Sequence, residues 1–160
     1  MERDVMEYDV LVVGAGPAGL SAAIKFAQLN KKNNTNHSIC VIEKGSEVGA
    51  HILSGNVFEP TALNELIPDW KDKEAPLETP VKKDVVKYLI NKNISIPIPF
   101  PGTFMPNFNN HGNYIMSLAN FCRWLAKEAE SLGVEIFPGF TASEVIIEND
   151  QLKGIVTCLL

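Results

Sequence analysis

The chemistry in this chain begins with Gly14-Ala15-Gly16-Pro17-Ala18-Gly19 and with an acid further along, Glu43. A G-x-G-x-x-G run of this kind suits a turn that brings backbone amides against a diphosphate. Its first glycine allows the tight bend, the second a close approach of backbone to phosphate, and the third close packing of helix on strand. An acid roughly 20 residues further on accepts hydrogen bonds from a ribose. The pattern predicts a site for the adenosine diphosphate half of a dinucleotide. The acid disfavours a 2′-phosphate and hence NADP, and the motif alone leaves FAD and NAD both open.

Such a turn works only between the right elements. Tyr8-Asp9-Val10-Leu11-Val12-Val13 is a short apolar run of strand composition, and Leu20 to Leu29 reads as helix. Pro17 suits the first helical turn, where its missing N–H costs little, and the free amides and positive dipole end of that helix face the phosphates. A second apolar run, Ile39-Cys40-Val41-Ile42, delivers Glu43 at its end. Glycines also serve ordinary turns, but here a strand precedes, a helix follows and an acid ends the next strand.

The 160 residues suffice for one core and are few for a dinucleotide enzyme with its own substrate domain. A net charge of −5 provides no basic footprint, so no nucleic-acid partner is expected. Cys40, Cys122 and Cys158 show no C-x-x-C spacing. Cys40 falls in a buried strand and Cys122 in a helix, as core residues in a reducing compartment would, and no metal site is visible. The first strand follows Met1-Glu2-Arg3-Asp4 almost at once, leaving no room for a signal or transit peptide. Val10 to Ile24, an uncharged apolar stretch, is broken by glycines and a proline and is too short to span a bilayer.

Further along, Asn30 to His37 is a polar loop with His37 solvated, Gly45 to Gly55 an irregular loop, and Pro60 to Ile67 a short helix stopped by Pro68. Between Lys71 and Pro106 the expected strands, Val81 to Ile90 and Ile94 to Phe100, are punctuated by Pro97, Pro99 and Pro101. Prolines of this kind mark an inserted antiparallel unit outside the nucleotide-binding sheet. Helical spacing resumes from Ser117 through Leu118, Phe121, Cys122, Leu125, Ala129 and Leu132, with Gly133 as the C-terminal cap. Val134 to Phe137 is the expected third parallel strand, and Val145 to Ile147 with Ile155 to Thr157 the start of an antiparallel meander. The fold class is therefore α/β: a Rossmann-like FAD/NAD(P)-binding domain of glutathione-reductase-like type, its parallel sheet incomplete, with an inserted antiparallel β unit. The expected divisions are 1–70 for the first part of the FAD-binding domain, 71–115 for the insertion and 116–160 for the continuation.

Several segments resemble electron transfer flavoprotein–ubiquinone oxidoreductases. They are Val48-Gly49-Ala50-His51-Ile52-Leu53-Ser54-Gly55, Glu59-Pro60 to Trp70, Ala75 to Val81, Asn109-Asn110-His111-Gly112-Asn113-Tyr114-Ile115, Trp124-Leu125-Ala126 and Gly133 to Phe140. The similarity runs from about Tyr8 to Thr157. The glycine motif is common to many flavoproteins; the G-A-H-x-L-S-G and N-N-H-G-N-Y segments discriminate far better. The resemblance implies a membrane-surface flavoenzyme with FAD and a 4Fe-4S cluster. It would take electrons from reduced electron transfer flavoprotein and reduce ubiquinone, the cofactors doing the redox chemistry. On this chain it implies that Gly14, Ala15, Gly16, Pro17, Ala18 and Gly19 hold the FAD pyrophosphate, that Glu43 with the adjoining Lys44 meets the adenosine ribose, and that Ser54 and Gly55 pass near the flavin ring. It also implies that Val48, Ile52, Leu53, Val57, Phe58, Leu63, Leu66 and Ile67 face the membrane beside the quinone entrance; periodicity alone favours a small helix packed on the core.

His51 and His111 titrate near neutral pH and are read as turn residues before proton carriers. Trp70 and Trp124 are read as packing residues. The cluster cysteines and later flavin-binding strands have no counterpart in these residues, so the chain alone is expected to bind FAD weakly or not at all and not to reduce quinone. Two other readings stay open: a FixC-like or geranylgeranyl-reductase-like flavoprotein, and a catalytically silent nucleotide-binding fragment. The expected location is the cytoplasmic face of a bacterial inner membrane, or the matrix face of the mitochondrial one.

Overall fold

The structure, a computed structural model, describes residues 4–98 and 109–159. The chain divides into two compact units, one of residues 1–54 with 117–160 and the other of residues 55–116.

In the first unit, β1 (Val10–Val13), β2 (Ile39–Glu43) and β8 (Glu135–Pro138) form a parallel sheet in the order β1-β2-β8. Register runs Val10 to Ile39 on one side of β2 and Cys40 to Glu135 on the other. Being central, β2 is buried on both faces, and Ile39, Cys40, Val41 and Ile42 are all apolar as that position demands. Helices α1 (Pro17–Asn33) and α3 (Leu118–Ser131) pack on one another. Leu20, Ala23, Ile24 and Ala27 of α1 meet a core that includes Phe121, Cys122, Leu125, Ala126 and Ala129 of α3. Each buried Leu or Ile side chain there contributes about 1.5–3 kcal/mol by leaving water.

The ends of α3 follow from sequence. The Ser117 hydroxyl accepts from the Asn120 amide at the start. At the finish Gly133 turns left-handed at φ 89°, its amide bonding the Glu130 carbonyl and the Val134 amide the Ala129 carbonyl. The third strand starts just after the expected Val134, because Val134 is spent closing that cap. After β8 a long ribbon, β9 (Phe140–Glu148) with β10 (Gln151–Leu159), reverses at Asn149 and Asp150, both left-handed. The expected segments Val145 to Ile147 and Ile155 to Thr157 both lie in this antiparallel ribbon, meeting at Val145 and Ile155, and the ladder extends well past them on both sides. Among the described residues, the outer rim of β1 has no neighbouring strand, and Leu11 and Val13 remain 39% and 59% exposed.

In the second unit, β3 (Asn56–Phe58), β7 (Tyr114–Met116) and β4 (Thr79–Pro80) make a small antiparallel sheet in the order β3-β7-β4. A separate hairpin joins β5 (Lys87–Asn91) to β6 (Ile94–Pro97). The unit opens at Gly55, so residues 55–70 group with the insertion and not with the first part of the FAD-binding domain as expected; β3 is stitched to the returning strand β7. The expected strand over Val81 to Ile90 begins only at Lys87. The stretch before it is drawn to another partner: the Val81 amide bonds the Asn113 carbonyl, and the Asp84 carboxylate accepts from the Asn110 backbone and side-chain amides at 3.0 and 2.8 Å. Those bonds hold Asp84 below the usual carboxylate range. Pro99 and Phe100, in the second expected strand, and Pro101 lie outside the described residues.

Helix α2 (Thr61–Leu66) turns Leu63 and, just beyond it, Ile67 inward, each 3% exposed. Trp70 is buried with them, its ring edge-on to Tyr114 and its indole N–H donated to Asn64 at 2.7 Å. Trp124 stacks on Phe121 at 5.9 Å. His37 is exposed, its ring bonded to Asn30 and edge-on to Phe26.

Candidate functional site

The carboxyl ends of β1 and β2 converge where a doubly wound sheet places its ligand. At the tip of β1 the Gly14 amide bonds the Ile42 carbonyl at 2.8 Å, and Gly14 takes φ 102°, a conformation that side chains resist. Gly16 caps α1 and Pro17 occupies its first turn. A Cβ at Gly16 would meet no atom within 4 Å, so open space lies in front of the turn. A Cβ at Gly19 would fall on the Gly14 carbonyl and within 3.2 Å of the Val12 side chain. Strand, turn and helix can approach this closely only because Gly19 has no side chain.

Glu43 sits at the end of β2 with both carboxylate oxygens engaged. Oε2 accepts from the Ala15 amide at 2.9 Å and Oε1 from the Gly45 amide at 2.8 Å. A carboxylate offers about four lone pairs, so each oxygen keeps one for a sugar hydroxyl. The Gly45 carbonyl in turn accepts from Gly139, tying the loop after β2 to the turn after β8. Behind the site Cys122 is buried, and burial first, then the Glu43 charge, pushes its thiol up to about 11.

The structure thus brings Gly14 to Gly19 and Glu43 together. Lys44 and Ser54 are exposed, and Gly55 begins the other unit at φ 87°. Of the expected membrane-facing residues, Leu53 is 91% and Val57 47% exposed, while Val48, Ile52, Phe58 and Leu66 are half-buried. Leu63 and Ile67 are a correction: they line the interior of their unit and offer no apolar surface. His51 and His111 are exposed, and the His111 amide is held by the Asn109 side chain.

Sequence reading missed what seats the loop after Glu43. A Cβ at Gly49 would stand 2.8 Å from the Ala119 carbonyl, and Glu47 pairs with Arg123 of α3 at 3.0 Å. These partners are distant in sequence, so no local signal could join them. Among the described residues, no cluster of His, Cys, Asp or Glu suits a metal, and no helix is long and apolar enough to cross a membrane.

Residues 12–68 match the NAD(P)-binding Rossmann-like domain family. Among solved structures, a geranylgeranyl bacteriochlorophyll reductase-like protein from Thermoplasma acidophilum matches with a TM-score of 0.66 and 27% identity, over 94% of this chain and 34% of that one. CtdE in complex with FAD matches with a TM-score of 0.59 and 22% identity, over 95% and 35%, which speaks to fold. The chain is 58% identical to the electron transfer flavoprotein-ubiquinone oxidoreductase of Pseudomonas aeruginosa over 98% of its own length and 28% of the relative's. The mitochondrial protein of that name from Oryza sativa is 52% identical over 97% and 26%, and that from Rattus norvegicus 49% over 98% and 25%. The chain spans about a quarter of the length of these curated relatives. It has a Rossmann-like dinucleotide-binding fold, and nearly its whole length is similar to the N-terminal part of electron transfer flavoprotein–ubiquinone oxidoreductases.

Proposed function

We propose that this chain is the FAD-binding part of an oxidoreductase that takes electrons from reduced electron transfer flavoprotein and passes them to ubiquinone at a membrane surface. The observation carrying this reading is the Glu43 carboxylate bridging the Ala15 and Gly45 amides beside the open turn at Gly16. The residues fit the cofactor: a helix mouth for the pyrophosphate, an acid with spare lone pairs for the ribose, and a glycine where a side chain would intrude. When bound, FAD supplies the electron-carrying chemistry.

The protein's contribution is binding and orientation. The first-turn amides of α1, at Ala18 and Gly19, point along the helix axis and favour negative charge. Glu43 fixes the sugar and so the direction in which the rest of the cofactor extends. Ser54, on the loop seated by Gly49 and by the Glu47–Arg123 pair, is assigned to the flavin edge, with Gly55 beside it, and Lys44 to the rim of the ribose site. A 4Fe-4S cluster, if the parallel with the relatives extends to it, takes its ligands from outside the described residues. The membrane-facing assignment is kept for Val48, Ile52, Leu53, Val57, Phe58 and Leu66.

The test uses ADP as a probe for the half-site. Amide shifts on ADP titration should concentrate at Gly14 to Gly19, Glu43 and Gly45 and should vanish in E43Q. On a chain of the relatives' full length, shifts elsewhere, or none at millimolar ADP, would remove the reading. The likeness to the geranylgeranyl reductase-like structure supports a second reading, a flavoprotein reductase of an isoprenoid substrate. Accepting electrons from reduced electron transfer flavoprotein, measured on a chain of the relatives' full length, separates the two.

A further inference from the structure

The second unit holds a cleft of about 690 Å³ with Trp70, Tyr114 and Leu77 at its floor and Lys71, Glu74 and Glu78 at its rim. The floor is fixed from several sides. Trp70 donates its indole N–H to Asn64 at 2.7 Å and meets Tyr114 edge-on at 5.7 Å. Tyr114 is itself paired in β7 with Phe58 of β3 and Pro80 of β4. It follows directly on the turn that Asp84 clamps through Asn110. Rings held in this way are ready for a ligand without the cost of ordering them.

The rim selects the charge of that ligand. Lys71 lays its ammonium over the Trp70 ring, 5.3 Å from the centroid, so the chain itself places a cation on this floor. On the same loop Lys73 pairs with Asp69 at 3.6 Å, whereas neither Glu74 nor Glu78 has an ion pair among the described residues. Two rim carboxylates against one ammonium leave a negative charge unanswered. Glu74 moreover holds φ 52°, a left-handed conformation that glycine would take at no steric cost. A metal ion does not suit the cleft: among the described residues no group of His, Cys, Asp or Glu forms an oxygen-rich cage, and an aromatic face prefers an organic cation.

We propose that this cleft binds a small organic ammonium ion, which displaces the Lys71 ammonium from the Trp70 ring and is balanced by Glu74 and Glu78. Lys71 is then an internal occupant that yields when the ligand enters. The inference goes beyond the FAD reading and does not depend on it.

The experiment titrates tetramethylammonium chloride into a chain of the relatives' full length carrying fluorotryptophan, the Trp70 fluorine line being the one that W70F lacks. Sodium chloride controls for ionic strength, and tert-butanol is the neutral counterpart of similar shape. Tetramethylammonium should move the Trp70 line along a saturable curve, and neither control should. A cation over an exposed ring is worth about two- to fivefold in affinity. K71Q vacates the ring and removes a like charge, so it should tighten binding by about that factor or more. K73Q, an equal change of charge on the same loop, should tighten it less, and E74Q/E78Q should abolish saturation. All three variants alter exposed side chains, so unchanged thermal unfolding midpoints separate an altered site from an altered fold. A linear drift shared with sodium chloride, an equal response to tert-butanol, or a K71Q protein that binds no tighter than its parent overturns the proposal.

Discussion

Glu43 accepts a hydrogen bond from the Ala15 amide at 2.9 Å, so the acid that ends one strand also braces the turn that ends its neighbour. Its other oxygen braces Gly45. E43Q leaves one carbonyl oxygen for two amides and turns an N–H₂ toward one of them. Losing that acceptor is expected to cost about 1–3 kcal/mol, read as a lower denaturation midpoint, together with loss of ADP-induced shifts. E43D, which keeps the charge on a shorter stem, should retain more stability than it retains binding.

At Gly19 the test is steric. G19A puts a methyl on the Gly14 carbonyl, and the resulting strain is expected to cost about 1–3 kcal/mol. Since the clash lies between strand and helix, the variant should lose stability and nucleotide binding together. G16A, in open space, should stay folded while binding ADP more weakly. Equal melting of both variants in thermal unfolding would contradict this.

Gly49 is left-handed at φ 86° and has no room for a side chain beside Ala119. G49A should therefore free the loop from Gly45 to Ser54, seen as faster amide exchange there, at a cost of about 1–3 kcal/mol. R123A removes an exposed ion pair with Glu47 and an exposed hydrogen bond to Asn120, and should cost less than about 1 kcal/mol.

The alkaline limb of stability should be steep. Burial, with the Glu135 charge a smaller cause, pushes the Cys40 thiol up to about 11, and Cys122 is raised likewise. Tyr8 goes to about 12 through burial and its hydrogen bond to Glu135. In each case the folded state holds the proton more tightly than the unfolded one. This stabilisation is complete below the unfolded values, near 9 for the thiols and 10 for the phenol, and is lost as pH rises toward the folded ones. Denaturation midpoints should fall from about pH 9 upward. In the native protein a thiol reagent should label exposed Cys158 rapidly and reach Cys40 and Cys122 only on unfolding.

What can be read from sequence follows the range of the forces involved. The turn at Gly14 to Gly19 and its flanking elements are specified within one continuous strand–turn–helix–strand stretch, and α3 by its helical spacing, Ser117 and Gly133. The sheet of β3, β7 and β4 is not legible, because such short strands carry no periodicity and take their partners from far along the chain. The extent of β9 and β10 is hidden for another reason: Ser143, Glu144 and Lys153 interrupt the apolar run, as a two-stranded ribbon with exposed positions permits. Leu63 and Ile67 show the limit of analogy with relatives. Their spacing alone favours a core face, only the resemblance turns them toward the membrane, and they are buried as the spacing has it.

Among the described residues the flank of β1 is bare, which sets terms for anyone who handles these 160 residues by themselves. Its backbone donors and acceptors are a ready template for a second copy, with Leu11 and Val13 supplying grease along the seam. Light scattering should rise with concentration, and L11P should suppress clumping at some expense in folding.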